Sequence, residues 1–314
     1  MRFLAHLSAA ALAASITSVA AQPTEVVEYS ADWALVGVGR LFTNDVIGDR
    51  QDRWRTGSYV ASFLYAPNAD DDWADHWFEN YEMRLRSEIV APAKMNGPSS
   101  NDRAYAGILS IGLHSHTIVS GYELSYGADL IATGPSTGLI DLQEFFHDVF
   151  SAPSVGSNVR DNQLGDALYP ALTAEIGRTV EIGEEATLRP FVEAQFGFED
   201  MVRIGADLQF GLPGSDLIRG RDVVTGQRYN LGESDYAGYS ILVGADYAWV
   251  SDSVLFPASF GTEAMDTRYR ARVGVNWQLG DQISTFAGFT YLSEEYVGQP
   301  EGQVVGSVKI NLNF

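Results

Sequence analysis

Apolar and polar residues alternate with a period of two along most of this chain. In RVGVNWQL (Arg272–Leu279), Val273, Val275, Trp277 and Leu279 take one side, and Arg272, Gly274, Asn276 and Gln278 take the other. MVRIGADLQF sets Val202, Ile204, Ala206, Leu208 and Phe210 against Arg203, Gly205, Asp207 and Gln209. YSILVGADYAW and the final stretch SVKINLNF follow the same rule. This pattern predicts strands with one apolar and one polar face. A soluble sandwich also alternates. Three features favour a barrel in a membrane. The runs approach the roughly 9–11 residues that a tilted spanning strand needs. Trp33, Tyr239, Trp249, Trp277 and Tyr291 stand at run ends, as interfacial girdles do. The last run stops on an aromatic, Phe314.

The expected fold is all-β, an antiparallel transmembrane barrel of about 12 strands, an even number. The strands are placed near 33–43, 55–66, 79–90, 103–113, 118–131, 168–180, 186–198, 201–210, 236–250, 267–279, 283–293 and 303–314. With both termini in the periplasm, odd-numbered loops point outward and even-numbered loops inward. LHSHT and LGDQI then read as tight inner turns, and residues 44–54, 91–102 and 132–167 as outer loops. Inner loops near 67–78 and 211–235 are long for such turns. One outer loop breaks the alternation. In GPSTGLIDLQEFFHDVF, Leu139, Leu142, Phe146 and Val149 recur at helical spacing, with Ser136 or Thr137 as a cap.

Composition sharpens the picture. The chain opens MRFLAHLSAAALAASITSVAAQ, which reads as a signal peptide over 1–21, leaving 22–314 as the barrel. There is no cysteine, so packing and backbone hydrogen bonds must hold an exported fold. Mean hydropathy is −0.07, ordinary for a soluble protein and equally for a transmembrane β-barrel, whose apolar residues are diluted by polar ones. The formal charge of −21 excludes nucleic acid as a natural partner. It also repels phosphorylated glycolipid unless divalent cations lie between.

Candidate chemistry is sparse. No G-x-S-x-G, P-loop or CxxC is present. Of five histidines, His6 lies in the leader, His76 in an acidic inner loop, and His114 and His116 in an inner turn. Only His147 falls on the outer side, where a neutral imidazole could take a proton from water. LFTNDVIGDRQDRWRTGSY (Leu41–Tyr59) concentrates Asn44, Asp45, Asp49, Asp52 and Arg53 at one outer turn. Such oxygen-rich clusters suit Ca2+, though they also make ordinary Asx turns. NDRAYAG (Asn101–Gly107) adds a second Asp-Arg pair, read as a solvated rim.

These ordered motifs resemble the lipid A deacylase family of outer-membrane enzymes, the LpxR type. Asn44-Asp45 followed by DRWRTG (Asp52–Gly57) resembles N-D … D-R-x-Y-T-x-G, with Arg55 in the place of Tyr. NDRAYAG resembles D-R-P-Y-A-G; GPSTGLIDLQEFFH resembles G-P … Q-x-x-x-H, and DNQL (Asp161–Leu164) follows. The family Glu after its His has no counterpart, and Lys94 only loosely matches a family Lys. The resemblance implies a twelve-stranded barrel that hydrolyses the 3′-linked acyloxyacyl ester of lipid A in the outer leaflet. It implies a Ca2+ requirement, with a His that activates water. It carries His147, Asn44, Asp45 and Thr56 onto the active site, with Asp45 and Asn44 as metal ligands. Gln143, Glu144 and Asp148 are the candidate partners that orient His147. The expected setting is the bacterial outer membrane, with the site facing the exterior, lipopolysaccharide as partner, and a monomer. The competing readings are a non-enzymatic pore or scaffold and a Ser-dependent outer-membrane phospholipase using Ser136, Ser151 or Ser154. In a pore, Asn44, Asp45 and His147 would lie more than about 10 Å apart.

Overall fold

The computed structural model describes residues 33–67, 77–97, 102–211, 217–232, 237–279 and 283–312. The leader expected over 1–21, His76 and most of the LGDQI turn lie outside them. The wall strands are β1 (Ala34–Asn44), β2 (Trp54–Ala66), β3 (Tyr81–Ala91), β4 (Ala106–Val119), β5 (Tyr122–Thr133) and β6 (Ala167–Gly177). They continue with β7 (Val180–Gly183), β8 (Ala186–Phe196) and β9 (Glu199–Gly211). A small pair, β10 (Arg219–Arg221) and β11 (Arg228–Asn230), intervenes. Then come β12 (Gly238–Ser253), β13 (Thr267–Leu279), β14 (Ile283–Leu292) and β15 (Gln303–Leu312). Apart from β6 and β7, each wall strand pairs antiparallel with the next; β1 pairs with β15, and β6 pairs with β8 as well as β5. Short β7 pairs with β8 where β6 leaves off, so the two act as one strand. The result is a closed barrel of twelve strands.

Burial follows the sequence alternation. Along β12, Tyr239, Ile241, Val243, Ala245, Tyr247 and Trp249 point outward, and the intervening residues are buried inward. Tyr239 pairs across from Trp277 at one end of the wall, and Trp249 lies ten residues away at the other. At about 3.3 Å per residue and a tilt of about 40°, that separation is about 25 Å of wall height, the thickness of an apolar belt.

Two features depart from expectation. There is no turn at LHSHT: β4 runs on to Val119, and the chain reverses at Ser120-Gly121. His114 and His116 face inward, where Asp129 Oδ2 (3.1 Å) and Glu82 Oε2 (2.8 Å) meet them. Polarity that imitates a turn is here the lumen face of a strand. The long loop after β9 is explained by β10 and β11, which fold up inside the barrel. Ile218 and Leu231 are fully buried, and the Tyr229 hydroxyl lies 3.0 Å from Ser62 Oγ on the inner face of β2. Arg221 reaches Glu175 (2.5 Å) and Asp207 (2.9 Å) of the wall. Gln227 donates to the carbonyls of Val273 (3.2 Å) and Phe289 (3.3 Å). This hairpin and the ion pairs around it occupy the lumen.

Candidate active site

The first hairpin organises itself with its own polar side chains. Asp45 N–H donates to Thr56 O (3.2 Å), and Asp45 O accepts from Gly48 and Arg50, each at 2.8 Å. Asn44 Oδ1 accepts from Val46 N–H at 2.8 Å, an Asx turn. Asp49 accepts from Arg53 (3.3 Å), which also binds Glu301 (2.9 Å). Arg50, Asp52 and Trp54 all have positive φ (65, 50 and 52°), which is costly for a bulky residue. Trp54 is held there by complete burial among Val90, Ile108, Phe198 and Leu255, with the Arg53 guanidinium 4.0 Å over its ring.

The second component is α1 (Leu139–Phe150), in the loop between β5 and β6. It lies on the outer surface of the wall, not in the lumen. Ile140 packs with Ala91 and Ile89 of β3, and with Met95, Tyr105, Val155 and Val159. Gly107, on the outward side of β4, permits this close approach. A Cβ there would sit 2.5 Å from Thr137 Oγ1 and 3.1 Å from Leu139 Cβ. Val159 belongs to α2 (Ser157–Asp161), whose preceding Gly156 N–H donates to Met95 O at 2.8 Å.

Leu139, Ile140, Gln143 and His147 face the wall; of the four apolar residues that recur at helical spacing only Leu139 is buried, and Leu142, Phe146 and Val149 are exposed. Gly138, in the left-handed region, takes the cap position and has no side chain to offer; Ser136 does not bond the free amides, and Thr137 Oγ1 accepts only a long bond from Leu139 N–H, at 3.5 Å.

The two components meet at Asp52. Its Oδ2 lies 3.1 Å from His147 Nε2. Its Oδ1 accepts from Thr56 Oγ1 (2.7 Å) and Gln143 Nε2 (3.2 Å). Thr56 Oγ1 is also 3.1 Å from Asp45 Oδ1, and Asp45 Oδ2 accepts from Arg53 N–H at 2.7 Å. A continuous contact chain thus links Asp45, Thr56, Asp52 and His147, with Asn44 adjoining. His147 Nδ1 is 2.6 Å from Pro153 O. A carbonyl can only accept, so Nδ1 donates to it; Nε2 faces the Asp52 carboxylate, also an acceptor, so a neutral ring with its lone pair on Nε2 requires that contact to open. The orienting partner is therefore Pro153 rather than the three candidates expected: Gln143 holds Asp52, Glu144 binds Arg160, and Asp148 is exposed. Ser136, Ser151 and Ser154 are exposed, and none bonds the ring.

The carboxylates crowd together. Burial pushes the Asp45 carboxyl up to about 7 against the pull of the Arg53 amide, and Asp52 and Asp49 add to the rise. Asp49 Oδ1 and Gln143 Oε1 are buried acceptors without a hydrogen-bond donor. An oxygen-only set with excess negative charge and undonated acceptors fits a hard cation in kind. Among the described residues no three His, Asp or Glu side chains already converge as a ligand cluster.

The site lies on the wall face that carries the apolar belt, with Asp45, Thr56, Gln143 and His147 buried beneath the surface. Asn44 pairs with Gly57, and the next outward pair along the same strands is Phe42 and Tyr59, both exposed. The Asp-Arg pair of NDRAYAG is no solvated rim. Asp102 accepts from Ala93 N–H (2.6 Å) and the Tyr296 hydroxyl (2.7 Å). Arg103 is fully buried, 2.5 Å from Glu295 Oε2. Arg55 likewise turns inward, to Glu295 at 2.6 Å and to Glu88. Lys94 is exposed. The sequence marks Asp52 only as one of the polar residues of the turn, not as a partner of His147, and gives no sign of the Pro153 carbonyl. Asp52 opens the DRWRTG motif, but a carbonyl leaves no signal in a sequence.

The family model described as "Outer membrane protein LpxR" matches residues 5–314. Among solved structures, LpxR from Salmonella typhimurium is similar with a TM-score of 0.73 and 16% identity, covering 88% of this chain and 100% of that one. An outer membrane channel from Pseudomonas putida F1 gives a TM-score of 0.41 at 12% identity, over 92% of this chain and 100% of that one. The KdgM porin gives 0.38 at 6% identity, over 88% and 98%. No curated protein sequence matches.

Proposed function

Since the chain belongs to the LpxR family of outer-membrane lipid A deacylases, we propose that it hydrolyses the 3′-linked acyloxyacyl ester of lipid A in the outer leaflet, with Ca2+ as cofactor and its site facing the cell exterior. The observation that carries this reading is the contact chain from Asp45 to His147, placed on the outward wall. A lipid can reach such a site by lateral diffusion in its own leaflet. The lumen, filled by the hairpin, argues against the pore reading.

The proton's route follows from the ring's tautomer. With Nδ1–H committed to Pro153, Nε2 is the atom that accepts. Nε2 and the Asp52 carboxylate are both acceptors. A water donating one hydrogen to each would turn its lone pair toward an ester carbonyl, once the carboxylate draws back from 3.1 Å. As the water oxygen attacks, its proton passes to Nε2, and the resulting imidazolium is stabilised by Asp52. The same proton then goes to the leaving alkoxide. Thr56 and Gln143 hold Asp52 in place and act as positioning residues. Asp45 and Asn44 would hold the cation, with the undonated acceptors nearby. When bound there, Ca2+ supplies charge that polarises the carbonyl and stabilises its developing anion, worth several kcal/mol in comparable sites. It would also offset the repulsion between a chain of charge −21 and phosphorylated lipid.

The test is mass spectrometry of lipid A from cells expressing the wild type or His147→Ala, with Ca2+ supplied. The wild type should remove the acyloxyacyl mass and the variant should not, while both barrels fold. Equal loss in both would end the proposal.

A further inference from the structure

The face of α1 turned away from the wall is apolar, and none of the described residues covers it. Leu142, Phe145, Phe146, Val149 and Phe150 are 46, 60, 47, 57 and 75% exposed. Phe145 and Phe146 meet edge to face, and Phe146 stacks with Phe150 at 6.4 Å. At about 100° per residue the helix divides into three sectors about 120° apart. One is the wall contact of Leu139, Ile140, Gln143 and His147. The second is acidic: Asp141, Glu144 and Asp148, with Arg160 bound to Asp141 (2.8 Å) and Glu144. The third is the apolar stripe of Leu142, Phe145, Phe146 and Val149, and Phe150, at the helix end past the wall contact, joins it by stacking on Phe146. A helix in water on a protein surface needs two sectors, one buried and one polar. A third sector of bare aromatic rings implies a second apolar medium.

We infer that this stripe of α1 is immersed in the hydrocarbon of the outer leaflet, so that the helix lies along the barrel rim with its acidic stripe toward water. Continuity with the membrane belt supports this occupant. The helix begins against Gly107, and the following outward residues of the same strand are Leu109 and Ile111, both exposed to the belt. The stripe extends the belt sideways from the wall. Its chemistry also excludes adhesion to phosphate headgroups as the driving force, because α1 contains no Lys or Arg. Large aromatic and aliphatic side chains, each partitioning by burial of apolar area, supply the attraction. An exposed cluster of this extent is rare on a protein surrounded by water.

Immersion fixes the depth of the site. Gln143 and His147 share the helix with the stripe, so they would sit just above the hydrocarbon, where an ester joins an acyl chain to its headgroup. That consequence rests on the proposed hydrolysis; immersion itself does not.

The chain has no cysteine, so single labels can be placed without background. Phe146→Cys, Phe150→Cys and Asp148→Cys, each carrying a nitroxide, would be reconstituted in vesicles containing lipopolysaccharide, and folding checked by heat-shifted gel migration. Collision with oxygen should exceed collision with a water-soluble nickel chelate severalfold at 146 and 150, and the order should reverse at 148. Labels at 146 and 150 that meet the nickel chelate as readily as the label at 148 would overturn the inference. Labels shielded from both reagents would overturn it too, by showing a protein partner such as a second copy. The readout is independent of catalysis, so an inactive protein with immersed labels leaves this inference standing and removes only the enzymatic reading.

Discussion

The Thr56 hydroxyl has one proton and two carboxylates within reach, at 2.7 and 3.1 Å. Thr56→Val removes that donor while keeping the side chain's shape. Deacylation should fall about 10- to 100-fold, as for other residues that orient a ligating group, with the barrel still folded. Asp45 gives a pH signature. In the metal-free protein its carboxyl is raised from 3.8 to about 7, so the folded chain holds the proton that an unfolded chain releases. Its contribution to stability is therefore largest in acid, declines as pH rises from about 4 to about 7, and is level above that. A cation at Asp45 must displace the proton, so Ca2+ affinity should rise with pH up to about 7 and then flatten. Calorimetric titration at about pH 5.5, 7 and 8.5 reads this, with Asp45→Asn removing the dependence. Equal affinity at all three would place the cation elsewhere.

At the scale of elements, the site depends on a loop helix pressed against a strand. Its seat is the missing side chain at Gly107. In Gly107→Val, the new Cβ would meet Thr137 and Leu139, and the start of α1 must lift from the wall. His147 would then lose its alignment with Asp52. A misplacement of about 1 Å is enough to reduce turnover about 100-fold. The barrel strands do not depend on that contact, so gel migration should remain that of a folded barrel. Full activity in this variant would show that α1 docks through its far end alone.

Over the whole molecule, charge is sorted inward. The lumen holds dense Arg–carboxylate pairs, and the hairpin of β10 and β11 contributes to them. Arg221 binds Glu175 and Asp207 and lies 3.7 Å over the Phe191 ring. Arg221→Met would leave Glu175 to Arg189 and Asp207 to Arg272, each carboxylate short of one donor, at a cost of about 1–3 kcal/mol. A lower unfolding temperature in detergent with unchanged deacylation is expected. Unchanged unfolding would mean that water, not the hairpin, solvates those wall carboxylates.

The sequence by itself determined the barrel. A period of two, repeated in β9, β12 and β13, is local, and each strand reads the same whatever its neighbours are. Motif order also brought Asn44, Asp45, Thr56 and His147 to one end. Tertiary structure alone decided the rest. Gln143 and Asp52 are far apart in the chain, and only closure of the wall sets them 3.2 Å apart. His114 and His116 are polar in the sequence, but whether polarity marks a turn or a lumen depends on which carboxylates stand across the strand. Leu142, Phe146 and Val149 carry a helical period, yet periodicity gives spacing and not the identity of the medium each stripe meets. The physical reason is range: alternation records the two environments beside one strand, whereas side-chain pairing across the barrel is set by loop closure and packing among residues that share no local signal.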